Sequence, residues 1–152
     1  MSAATTATAF AALCVALNGV AGAFGAWRWW RVQPSRAFWV ACRAGQVASV
    51  ALAIVAGVLF ATGARPDDGL FWLYMLLPTA VGSIAEQLRV VSAQTELDAR
   101  GLADAAAVGE LDDAGQRSVV LGIMRRELGV MTVAALVVAF LALRAIAETG
   151  GL

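Results

Sequence analysis

Six side chains that could do chemistry sit in or beside otherwise apolar stretches. Arg43 and Gln46 fall in one hydrophobic run, Glu86 and Arg89 in the next, and Arg126 and Glu127 at the start of the last. Arg43 lies five residues past Phe38, so about 7 Å along a helix axis. Glu86 lies sixteen residues past Leu70, near the far end of its run, and the uninterrupted apolar stretch from Leu128 opens directly after Arg126 and Glu127. These positions imply one shared depth near one edge of a bilayer. A charge at the centre of a membrane helix costs roughly 2.5–3.5 kcal/mol on insertion scales, and less near the interface, where arginine can snorkel. Groups kept in such a layer have two uses. They can pair across helices and fix register, for which Arg43, Arg126, Glu86 and Glu127 suffice, or they can hold an anionic headgroup, a small anion, a metabolite or a proton. The other half of the bilayer receives no charge, whereas a permeation path needs polar groups there too.

Helical spacing puts these groups on stripes. Arg43, Gln46 and Ser49 share one face; Thr79, Gly82, Glu86 and Arg89 share another; Arg125, Gly129 and Thr132 share a third. Asn18 shares a face with Cys14, Gly22 and Gly25, nearer mid-bilayer. The runs that carry them are 8–27, 38–62, 70–91 and 119–146. Each reaches the ~20 residues needed to cross ~30 Å of hydrocarbon. Hydrophobic residues make up 61% of the 152-residue chain and charged ones 14%, against roughly 45–50% and 25% in soluble domains. The expectation is an all-α, polytopic membrane protein: one domain, a bundle of four transmembrane helices in contact with the lipid bilayer. Pro78 removes a backbone donor inside the third run and predicts a kink. The connection 63–69 reads as a tight turn, and the long connection 92–118 as partly helical between Glu96 and Val108, with Gly109 and Gly115 as punctuation and its acids in a solvated loop.

Orientation follows from the arginines, the chain having no lysine. Arg28, Arg31, Arg36, Arg89, Arg100, Arg117, Arg125 and Arg126 gather on one side, with Arg43 just inside, while Arg65 and Arg144 lie on the other. The positive-inside rule places the first and third connections in the cytoplasm and both termini outside the cell membrane. Aromatic residues bracket the two interfaces, Trp27, Trp29, Trp30, Phe38 and Trp39 at one and Phe71, Trp72 and Tyr74 at the other.

Several chemistries drop out. No histidine is present, which removes histidine-ligated zinc, copper or haem and any Ser-His or Cys-His nucleophile. Cys14 and Cys42 fall at different depths and read as small apolar packing residues, unable to reach the ~7 Å Cα separation of a disulfide. A net charge of zero gives no argument for nucleic acid. No motif calls for a metal or cofactor. Asp98-Ala-Arg-Gly with Asp112-Asp113 departs in spacing from the acidic signature of lipid phosphatidyltransferases, and Glu86 is placed unlike the mid-bilayer acid of small multidrug exporters.

Gly19, Gly22 and Gly25 form a ridge on the first run, and Gly45, Ser49, Ala53 and Gly57 recur at four-residue spacing on the second. Small residues let helices approach closely, within the bundle or against a second copy or another membrane subunit. Two stretches, Asn18 through Trp27-Arg-Trp-Trp-Arg to Trp39 and Leu97-Asp-Ala-Arg-Gly through Gln116 to Met131, resemble uncharacterised small four-helix membrane proteins of high-GC Gram-positive bacteria. The resemblance implies the same four-helix fold and transfers no activity, cofactor or functional residue. The function expected is that of a non-enzymatic accessory, scaffold or assembly subunit of a larger membrane complex. The alternative is a binding or transport protein for a small molecule, lipid headgroup or proton, using the polar layer.

Overall fold

The computed structural model describes residues 2–66 and 69–149, so Asp67 and Asp68 of the expected turn lie outside the described residues. Six helices follow in order: α1 (Ala3–Arg31), α2 (Arg36–Ala61), α3 (Leu70–Val90), α4 (Ser92–Ala99), α5 (Ala105–Gly109) and α6 (Asp113–Glu148), with no strand among the described residues.

Short polar side chains set most of the starts by accepting from amides that lack an intrahelical partner. Ser2 accepts from the Thr5 amide at 3.1 Å, Ser35 from Phe38 at 3.3 Å, Asp104 from Ala107 at 2.9 Å and Asp112 from Gly115 at 2.8 Å. Asp112, expected in a solvated loop, is therefore a cap, and Gly115 lies inside the first turn of α6 rather than in the connection. The first helix stops where Val32 turns left-handed (φ 46°) and the Val32 and Gln33 amides close on the carbonyls of Trp29 and Arg28 at 3.1 and 3.2 Å. Pro34 cannot continue the helix. Caps, not hydropathy, thus fix the ends, so α1 extends past 8–27 on both sides. With 36 residues, α6 is about 54 Å long, well beyond the ~30 Å of hydrocarbon that a crossing helix must span.

The connection after α3 is helical, as expected, but in two pieces. Only Val91 separates α3 from α4, and Gly101 (φ 68°) then ends α4 before α5 begins. α3 itself runs unbroken through Pro78.

α1 packs along α6 and α2, α3 packs along α6 and α2, and α4 and α5 lie against α6. One apolar cluster gathers Ala11, Cys14, Leu52, Phe71, Met75, Val138 and Ala142; a second gathers Ala21, Phe38, Cys42, Leu128 and Met131. Buried Asn18 lies between Cys14 of the first cluster and Ala21 of the second along α1. Both cysteines are free thiols.

Three helices, α1, α2 and α6, are long and apolar enough to cross a membrane. Their outward faces carry large apolar side chains of the kind that lipid solvates and water does not, such as Val40, Val47 and Ile54 on α2 and Val133 and Phe140 on α6. At 21 residues α3 is long enough, but Tyr74, Pro78, Thr79, Ser83, Glu86, Gln87 and Arg89 dilute its apolarity. These features give an all-helical chain with three candidate membrane-spanning helices.

Candidate functional site

The ends of α1 and α3 and the starts of α2 and α6 meet at one end of the molecule, and two charge clusters form there.

The first joins α2 to α3. Glu86 Oε1 accepts from Arg43 at 2.9 Å and from Gln46 Nε2 at 2.7 Å, and its Oε2 accepts from Arg89 Nε at 3.0 Å. Arg43 also donates to Gln46 Oε1 at 2.7 Å, and the Arg89 guanidinium lies 5.5 Å from the centre of the Trp39 ring. The sequence stripes predict each half of this set, since positions 43 and 46 on one helix, and 86 and 89 on the other, are three apart and project together. A pocket of about 200 Å3 adjoins it, lined by Gln46, Ser49, Thr79, Ser83 and Glu86 among others.

The second cluster joins α4 to α6. Glu96 Oε1 accepts from Arg100 Nε at 2.8 Å, and its Oε2 lies 3.8 Å from Arg126. Arg100 also donates to the Ser118 hydroxyl at 3.0 Å and its carbonyl at 3.1 Å, tying α4 to the first turns of α6. Gly122 makes this possible, because a Cβ there would fall 2.6 Å from the Glu96 carboxyl carbon.

Arg126 and Glu127 therefore do not pair with Arg43 or Glu86. Consecutive residues on a helix point about 100° apart, so 125, 126 and 127 fan out around α6. Arg126 meets α4, and half-buried Glu127 stands in neither cluster. Glu96 was not singled out from sequence as a site residue. Its only signal was the Glu-to-Arg spacing of four residues within a helix-forming stretch.

Between α3 and α6 runs an open groove of about 830 Å3. Trp29 of α1 crosses its floor against Gly129, where a Cβ would come within 3.0 Å of the indole. Ile84, Leu88, Val130 and Val133 wall it, and Arg125, Arg126 and Glu96 lie at one end. Arg125 has no hydrogen bond or ion pair to another described residue. The expected stripe of Arg125, Gly129 and Thr132 is thus split: the first two line the groove, while Thr132 is buried near Gly25 of α1.

The interior polar groups do structural work. Asn18 Nδ2 donates to the Cys14 carbonyl at 3.0 Å and across to the Gly45 carbonyl of α2 at 3.1 Å; Thr79 donates to the Ser49 carbonyl at 2.9 Å. The glycine ridge divides. A Cβ on Gly22 would fall 2.5 Å from Leu136 and one on Gly25 2.5 Å from Phe38, so both are packing positions within the fold, while Gly19 has open space around it. Gly45 faces Asn18, and Gly57 is open.

No protein-family model, no curated protein and no solved structure matches the chain.

Proposed function

We propose that this protein is a non-enzymatic accessory or assembly subunit of a membrane complex, built as a bundle of four transmembrane helices with α3 as the fourth crossing. Its termini lie outside, and the arginine-rich end, with α4 and α5, faces the cytoplasm. The short polar connection 62–69 and the antiparallel packing of α3 on α2 support a crossing by α3, and the arginine imbalance supports the orientation.

One observation carries the assembly role. On α1 the outward positions Ala9, Ala12, Ala16, Ala23 and Ala26 are exposed, and Gly19 between them has nothing within 4 Å of its Cβ position. Their spacing alternates between three and four residues, the repeat of a helix seam. Lipid needs no small residues; α2 and α6 turn large apolar side chains to it, as α1 does beside this row at Leu13 and Val20. A seam of alanine and glycine suits the close approach of another helix, where packing rather than water expulsion drives association. The glycines that first suggested such a surface, Gly22 and Gly25, are used inside the fold; the docking face is the opposite one.

The occupant is a helix of another subunit or of a second copy. Native mass spectrometry of protein gently extracted from its own membrane tests this. A retained partner or defined oligomer is expected, lost in Ala16→Leu/Ala23→Leu. A monodisperse monomer without partner ends the reading.

A second reading is favoured by the pocket beside Glu86: a binding or proton-coupled transport protein for a small polar molecule. Against it, both Glu86 oxygens already accept strong donors.

A further inference from the structure

The groove between α3 and α6 combines features that an internal packing defect would not. Its volume of about 830 Å3 is in the usual range of ligand sites, about 300–1,000 Å3. Its walls are aliphatic along most of their length. From Val137 at its apolar end to Arg126 at its charged end is eleven residues of α6, about 16 Å of helix. Half of a ~30 Å hydrocarbon core is ~15 Å, so the groove spans about one leaflet.

The charged end has cation to spare. Arg125 has no partner among the described residues, and Arg126 has only Glu96 at 3.8 Å, whose other oxygen is taken by Arg100 at 2.8 Å. Two guanidiniums thus share one carboxylate while a third, Arg125, stands unpaired, and Glu127 does not line the groove. An unpaired guanidinium where lipid headgroups begin calls for an anion, and arginine matches phosphate oxygens with paired donors.

We infer that this groove holds one anionic phospholipid of the cytoplasmic leaflet, an acyl chain lying along Ile84, Leu88, Val130 and Val133 and the phosphate between Arg125 and Arg126. The inference rests on membrane insertion with α3 as a crossing, and not on the assembly role. Trp29 and Gly129 line its floor, so the chain rests on protein rather than on bulk lipid.

The purified full chain in nanodiscs of phosphatidylcholine with a minor share of phosphatidylglycerol provides the test, read by native mass spectrometry. One phosphatidylglycerol should stay bound with an enrichment of about tenfold over its share, a difference of about 1.4 kcal/mol. Arg125→Gln/Arg126→Gln should bring it to parity, whereas Arg31→Gln, outside the groove, should not. No enrichment in the unaltered protein, or enrichment unchanged in the double variant, overturns the inference. Phosphatidylglycerol with a photoreactive acyl chain guards against misfolded variants. Crosslinks to the α3 and α6 walls of the unaltered protein are expected, and equal labelling of Val47 and Ile54 on α2 overturns it. Excess glycerol phosphate separates headgroup from lipid: the lipid should persist, and its displacement would reduce the site to one for a free phosphate ester. None of these readouts depends on a partner subunit.

Discussion

Gly19, Gly22 and Gly25 are alike in the sequence and unlike in the fold, so substituting each by alanine is a direct test of the packing. Alanine is favoured over glycine in a helix by about 0.8–1.0 kcal/mol, and that gain is common to all three. At Gly19 a Cβ meets nothing within 4 Å, so Gly19→Ala should be neutral or more stable by up to about 1 kcal/mol. At Gly22 the obstacle is the Leu136 side chain, at 2.5 and 2.7 Å, which is part-exposed and can turn aside, with the Leu136 backbone nitrogen behind it at 3.3 Å. At Gly25 the obstacles are the Phe38 ring at 2.5 Å and the Thr132 hydroxyl, and both residues are fully buried. Neither can yield without separating α1 from α2 and α6. Overpacking of this kind costs about 1–3 kcal/mol, which exceeds the helix gain. The expected order of stability is Gly19→Ala above Gly22→Ala above Gly25→Ala, with about 1–3 kcal/mol between the extremes, because the helix gain is common to all three and cancels. Reversible unfolding of the monomer by sodium dodecyl sulfate in mixed micelles, followed by tryptophan fluorescence, measures it. If Gly25→Ala were as stable as Gly19→Ala to within about 0.5 kcal/mol, the close approach of α1 to Phe38 and Thr132 would be refuted, since independent surface changes stay within that margin.

Glu86→Gln leaves Arg43 and Arg89 without a carboxylate. Because Arg43 is 58% exposed and can snorkel, the same unfolding assay should show a loss of about 1–2 kcal/mol, below the cost of breaking a fully buried pair; a loss above about 4 kcal/mol would mean the cluster is far drier than described. The Thr132 hydroxyl is buried without a hydrogen-bond partner, so the near-isosteric Thr132→Val should stabilise by about 1 kcal/mol. Destabilisation there would reveal a hydrogen bond from that hydroxyl.

How much of this was legible beforehand depends on the kind of physics. Hydrophobic runs long enough to cross a bilayer announce membrane helices without tertiary information, because each segment meets lipid on its own. Helical class, the arginine asymmetry and the stripes that set 43 beside 46 and 86 beside 89 rest on one-dimensional spacing, and the sequence alone was enough for them; that the two stripes meet across α2 and α3 was not legible there. Helix ends were less legible. Ser2, Val32 and Asp112 set them through hydrogen bonds and backbone turns rather than hydropathy, so α6 begins at Asp113 and not near Val119.

Which partner each group finds was decided by tertiary structure. Three adjacent residues, Arg125, Arg126 and Glu127, point in different directions around one helix, and only the placement of α4 determines that Arg126 meets Glu96 rather than Glu86. Only the neighbours of Gly19 and Gly25 determine that one faces outward and the other carries Phe38. Gly122 and Gly129 say nothing in sequence beyond their helix propensity, yet they let Glu96 and Trp29 lie against α6 and give the groove its floor. Composition and periodicity act within a segment, while contact across segments depends on rotation and register, which no single run specifies.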